Sequence, residues 1–140
     1  ANVVVEGSSI ASKADLEGKA VSVQTGTTAE SFCNENGYKV SSFQANNDAQ
    51  SALVQGKVDA WVIDDLTAAD MVAVYNAQGG GQLVILDEAM TTEPYAFALA
   101  FGSEDTVAKM NEILAQMQSE GTIAAIFHKY NAPFTAPGEG

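Results

Sequence analysis

The sequence predicts an α/β fold, an open and mainly parallel sheet flanked by helices. Three observations predict it. Short apolar runs alternate with helically periodic segments along most of the 140 residues, which is the pattern of βαβ units. Glycine, Asx or hydroxyl residues stand at nearly every junction between them. The most apolar run, Asp59-Ala60-Trp61-Val62-Ile63-Asp64, is continuous rather than alternating, as suits a central parallel strand covered on both faces.

Each element has its own reason. Val3-Val4-Val5 is a short strand broken by Gly7-Ser8-Ser9. Residues 14–19 read as one helical turn ended by Gly18. Residues 20–24 form the next strand and 27–36 a helix stopped by Gly37. Lys39-Val40-Ser41-Ser42-Phe43 alternates as a strand. Asn46-Asn47-Asp48 then caps a helix through Ala49, Ala52, Leu53 and Val54, closed by Gly56. After the apolar strand a helix is expected at 66–76, a glycine turn at 78–82 and a strand at 83–86. Tyr95-Ala96-Phe97-Ala98-Leu99-Ala100-Phe101 reads as a further strand with its aromatics on one face. Two helices complete the pattern, at 104–118 and 122–130, with Gly121 between them; the tail from 131 is expected to be extended and frayed.

Composition excludes several functions. The 46% hydrophobic content suits one core, while the formal net charge is −12 and every basic residue is a lysine. Nucleic acid and anionic lipid both demand clustered cations, so neither is an expected partner. No apolar run approaches the ~20 residues of a membrane span, so no membrane insertion is expected. Ala1 is not preceded by a basic-then-apolar leader, and a signal segment is expected to be absent from this chain. A lone Cys33 permits no internal disulfide, and on a helix with no nearby cation it reads as half-buried packing. A single histidine, His128, leaves no metal pair and reads as a surface residue. Ser8, Ser9, Ser41 and Ser42 have no histidine nearby in sequence to activate them. Trp61 and the Met110 and Met117 stripe read as core, and no cofactor is implied.

Chemistry concentrates at two places. In Gln24-Thr25-Gly26-Thr27-Thr28-Ala29-Glu30 a strand passes through a glycine turn into a helix. The first N–H groups of such a helix lack intrahelical partners and carry the positive end of its dipole, so they suit an anion. The same residues also serve simply to cap a helix. Asp64-Asp65 comes directly after the apolar strand. In open sheets ligands gather beyond the carboxyl ends of strands, near a reversal of strand order. An anion cradle facing a carboxylate complements a zwitterion. Either aspartate can instead cap the next helix, and Asp65, immediately before it, is the better pure cap.

The order of Asp15-Leu16-Glu17-Gly18-Lys19, Val21-Ser22-Val23-Gln24-Thr25-Gly26-Thr27-Thr28-Ala29-Glu30, Gln50-Ser51-Ala52-Leu53-Val54-Gln55-Gly56-Lys57-Val58-Asp59-Ala60 and Val62-Ile63-Asp64-Asp65 resembles the polar amino-acid binding proteins of ABC importers. These have the type II periplasmic binding fold. Glu93-Pro94-Tyr95-Ala96-Phe97-Ala98-Leu99-Ala100-Phe101 and Glu120-Gly121-Thr122-Ile123-Ala124-Ala125-Ile126-Phe127-His128-Lys129-Tyr130 extend the likeness. The resemblance implies that Thr27 and Thr28 hold a ligand carboxylate, and the turn chemistry described above adds Thr25 and Gly26 to the cradle. It implies that Asp64 accepts from the α-ammonium, that Gln24 lines the pocket and that Ala29 lies beside it. It covers the second half of the two-lobed family. The implied divisions are a hinge-side strand and turn at 1–12, a ligand-gripping lobe at 13–92, a return strand and two helices at 93–132 and a flexible tail at 133–140.

The function implied by this resemblance is that of an extracytoplasmic, partial receptor working with a separate ABC permease. Half a clamshell should bind an amino acid at about millimolar affinity or worse. Its orphaned strand and helices should favour a homodimer or segment exchange. Two other readings stay open: an interaction or sensor domain that has lost solute binding, and a dehydratase of the same fold with Asp64 as base.

Overall fold

The computed structural model describes residues 1–130 together with 132, 134 and 136. The chain divides into two compact units, Ala1–Thr91 and Thr92–Gly140.

The first unit is built on five strands: β1 (Asn2–Val5), β2 (Ala20–Gln24), β3 (Lys39–Phe43), β4 (Ala60–Val62) and β5 (Leu83–Ile85). Helices α1 (Thr28–Glu35), α2 (Asn46–Val54) and α3 (Asp65–Ala77) connect them, and Lys13–Leu16 forms a 3-10 turn. The strand order is β3-β2-β4-β1-β5. β2 pairs in parallel with β3 and β4, whereas β1 is antiparallel to both β4 and β5. Four strands therefore run one way, and β1 alone is reversed. The expected mainly parallel sheet is present, with the apolar β4 at its centre.

Period-two alternation sorts the two faces. On β2, Val21 and Val23 join Cys33, Leu16, Val4, Ala60 and Val62 in one core, with Ala29 and Phe32 of α1 against it. Trp61, Val3, Ala49, Leu53, Ala68 and Val72 build the opposite core beneath α2 and α3. Ser22, fully buried on that face, donates from Oγ to the Ala49 carbonyl at 2.9 Å and ties α2 to β2. Trp61 is fully buried, as expected of core, and so is Cys33. Burial pushes the Cys33 thiol up to about 11, which keeps it in the protonated form at neutral pH.

The second unit holds α4 (Glu104–Ser119) and α5 (Thr122–Lys129), joined through Gly121. That glycine sits at φ +76°, where a Cβ would be strained. The strand expected at 95–101 is absent: these residues carry no ladder pairing, and all but Leu99 are exposed. A strand needs a neighbour for its backbone groups, and the described part of this unit contains none. Met110 and Met117 lie on α4 half-buried, and no described residue of α4 or α5 is fully buried. Tyr95, Phe97 and Phe101 are at least two-thirds exposed. The Phe134 ring stands 5.0 Å from Phe127. Most of the tail expected at 133–140 lies outside the described residues.

Candidate binding cleft

α1 leaves the end of β2 toward β3 on one side, and α2 returns the chain to β4 on the other. The order reverses between β2 and β4, which is where an open sheet leaves a crevice beyond its carboxyl ends. A cleft of about 300 Å³ lies there, lined by Gln24, Thr27, Thr28, Ala29, Asn46, Val62, Ile63, Asp64 and Thr67. A larger depression of about 530 Å³ runs along β1 and β5 and contains none of the expected site residues.

The β2–α1 turn is held by its own side chains. Thr27 caps α1, its Oγ1 accepting from the Glu30 amide at 3.2 Å and donating to the Gln24 carbonyl at 2.7 Å. Gly26 adopts φ +77°. The Glu30 carboxylate accepts from the Gly26 amide at 2.7 Å and from the Ser42 hydroxyl. These bonds, that of Ser42 first, hold its pKa below the usual glutamate value. Thr25 donates its amide to the Phe43 carbonyl at 2.8 Å, continuing the β2–β3 ladder.

Two expectations are corrected here. Thr25 and Gly26 shape the turn and do not line the cleft, because the ladder takes one amide and Glu30 takes the other. The cap expected at Asp65 falls instead on Asp64. Asp64 caps α3, its Oδ2 accepting from the amides of Leu66 at 3.1 Å and Thr67 at 3.3 Å. Asp65 is already the first helical residue, with Oδ1 2.6 Å from the Ala1 nitrogen. The cap shifts because α3 begins one residue earlier than the apolar pattern suggests.

The cleft contains residues that motif reading missed. Asn46 and Thr67 stand outside the expected set, Asn46 because the sequence marks it only as a cap. It is instead the first residue of α2, whose N-cap is Ala45. Its Nδ2 donates to Gln24 Oε1 at 3.1 Å, and Gln24 Nε2 donates to the Gln44 carbonyl at 3.1 Å. The alternation of β2 was the available signal, since it sets Gln24 on the same face as Ser22, toward α2. Asp64 is the only ionisable side chain among the described residues lining the cleft. It is exposed, as is Thr28, so neither is sealed in a core.

No protein-family model matches the chain. A crystal structure of domain 2 from TmArgBP shares 38% identity with it, covering 60% of this chain and 89% of that one at TM-score 0.53. The chain belongs to the amino-acid solute-binding proteins of ABC transporters. The second substrate-binding domain of a putative amino acid ABC transporter from Streptococcus pneumoniae Canada MDR_19A is 30% identical over 92% of this chain and 59% of that one, at TM-score 0.72. The L-cystine-binding protein TcyJ of Escherichia coli strain K12 is 32% identical over 83% of this chain and 43% of that protein. The L-arginine-binding protein of Pseudomonas aeruginosa is 28% identical over 91% of this chain and 52% of that protein. The chain thus spans about half the length of the curated relatives it matches. One similar structure is the ancestral amino-acid-binding protein AncCDT-1, described as a precursor of cyclohexadienyl dehydratase. No helix among the described residues is long and apolar enough to cross a membrane.

Proposed function

We propose that this chain supplies the amino-acid-gripping lobe of an extracytoplasmic import receptor. The first turn of α1, with Thr27 and Thr28, takes the α-carboxylate through the positive end of the helix dipole, the Thr27 hydroxyl proton itself being held by the Gln24 carbonyl. Asp64, the one carboxylate among the described residues lining the cleft, takes the α-ammonium through a charge-assisted hydrogen bond. Gln24 forms the wall between them. Translocation falls to a separate ABC permease and ATPase, and this chain performs no chemistry. The observation that carries this reading is the convergence of Thr27, Thr28 and Asp64 on one cleft at the switch in strand order.

Chemical-shift titration with L-alanine to tens of millimolar tests it. The expected result is saturable movement of amides 27–30 and 63–67, with affinity of about millimolar or weaker. Asp64→Asn keeps a good N-cap but removes the charge, so it should weaken binding by roughly tenfold without unfolding α3. Binding that is indifferent to Asp64→Asn would refute the ammonium role.

One observation favours the alternative, an interaction or sensor domain that has lost solute binding. Glu30 places a negative charge on the turn that a carboxylate would approach. The same titration separates the two, since the alternative expects no movement at all. The exposed aromatic and aliphatic residues of the second unit support a further proposal, self-association of this chain as a homodimer or by segment exchange.

A further inference from the structure

Tyr95-Ala96-Phe97-Ala98-Leu99-Ala100-Phe101 carries no charge, glycine or proline, in a chain whose formal net charge is −12. Every odd position holds a large apolar side chain and every even one an alanine. That composition suits a strand that pairs with another chain. Residues 96–101 nevertheless have no ladder partner, and Phe97 and Phe101 are more than two-thirds exposed. The described residues of the second unit supply no strand for them to pair with.

The run is complementary to itself when two copies lie antiparallel about Ala98. That register sets Phe97 opposite Leu99, Tyr95 opposite Phe101 and Ala98 opposite its own symmetry mate. Opposed residues share a face, so the large side chains of both copies gather on one side and the alanines on the other. Charge and punctuation agree with this register. Pro94 falls opposite Gly102, which ends the ladder at both ends together, and Glu93 falls opposite Ser103 and not another carboxylate. Sliding by one residue sets aromatics against alanines. Sliding by two sets Glu93 against Phe101 in one direction and Tyr95 against Ser103 in the other. A two-stranded ribbon also needs apolar cover. α4 follows the run in each copy and brings Val107, Met110 and Ile113, none of them fully buried. We infer that residues 95–101 are the dimerisation element of this chain, forming an antiparallel ribbon with the same residues of a second copy. The contact is isologous and specifies a two-fold dimer. This inference rests on the self-association proposed above and adds its element and register.

Mild oxidation of cysteine variants of the whole chain reads the register. Ala98→Cys should give a disulfide-linked dimer, since opposed Cβ atoms lie about 5 Å apart. Ala96→Cys alone and Ala100→Cys alone should not, because each lies about 13 Å from its symmetry mate. An equal mixture of those two should link, position 96 being opposite position 100. Wild type, whose Cys33 is fully buried, should stay unlinked. Sedimentation velocity adds an affinity readout: Phe97→Glu should weaken the dimer about tenfold or more, because two-fold symmetry counts each loss twice. If wild type dimerises but the cysteine variants link all alike or not at all, the ribbon is overturned and self-association stands. Phe97→Glu leaving the dimer unchanged also overturns it. If wild type is monomeric throughout, the self-association reading fails and this inference falls with it.

Discussion

Glu30 shows how much one side chain decides at this rim. In sequence it is a first-turn carboxylate, helpful to any helix dipole. In the structure it bridges the Gly26 amide and the Ser42 hydroxyl, pinning the β2–α1 turn to β3. Its pKa is lowered by these bonds from the usual 4.5. A depressed carboxylate adds stability that is fully present above its unfolded value and is lost as pH falls through the folded one. The acid limb of the stability curve should therefore be steeper in wild type than in Glu30→Gln, with the two curves converging at the lowest pH. Urea midpoints between about pH 6 and pH 3 check this, and parallel curves would contradict it. The neighbouring Thr27 cap was legible from its hydroxyl and position. The contact between Glu30 and Ser42, twelve residues apart, was not, because it depends on β2–β3 pairing.

Among the elements, β4 carries the most weight for its three residues, all of them buried. Its continuous apolar run marks it as central in the sequence itself, and Trp61 fills the core beneath α2 and α3. Truncating a fully buried indole removes a large transfer term and leaves a cavity. Trp61→Ala should cost about 3–5 kcal/mol, read as a fall in urea midpoint. Against a total of roughly 5–15 kcal/mol, this approaches the limit of folding. A loss below about 1 kcal/mol would mean that the cavity collapses or that the packing is loose. The segment at 95–101 is the opposite case. Its alternation is as good as that of β3, yet it forms no strand, since periodicity reports a face while hydrogen-bonded pairing needs a partner.

The whole molecule joins a first unit with two cores to a second unit without a buried residue among those described in its helices. Phe101, Phe97, Tyr95 and Tyr130 are more than half exposed in that second unit, with Ile113, Ile126 and Val107 beside that class at two-fifths or more. This apolar surface should drive self-association at high concentration. The net charge of −12 opposes it, so added salt, which screens like charges, should strengthen it. Sedimentation velocity over a concentration series at low and high salt measures both effects. A strictly monomeric profile throughout would count against the proposal.

Composition, periodicity and punctuation by themselves determined the α/β class, the order of elements from β1 to β5, the two closing helices and the two strand ends that border the cleft. Those properties are local: they depend on which residues alternate, which cap and which cannot continue a helix. Tertiary structure alone decided the reversed direction of β1, the pairing of Asp65 with the Ala1 nitrogen, the occupation of the Gly26 amide and the arrival of Asn46 at the cleft. Each of these depends on which strands become neighbours, and pairing between distant segments is fixed only when the whole sheet closes its hydrogen bonds at once.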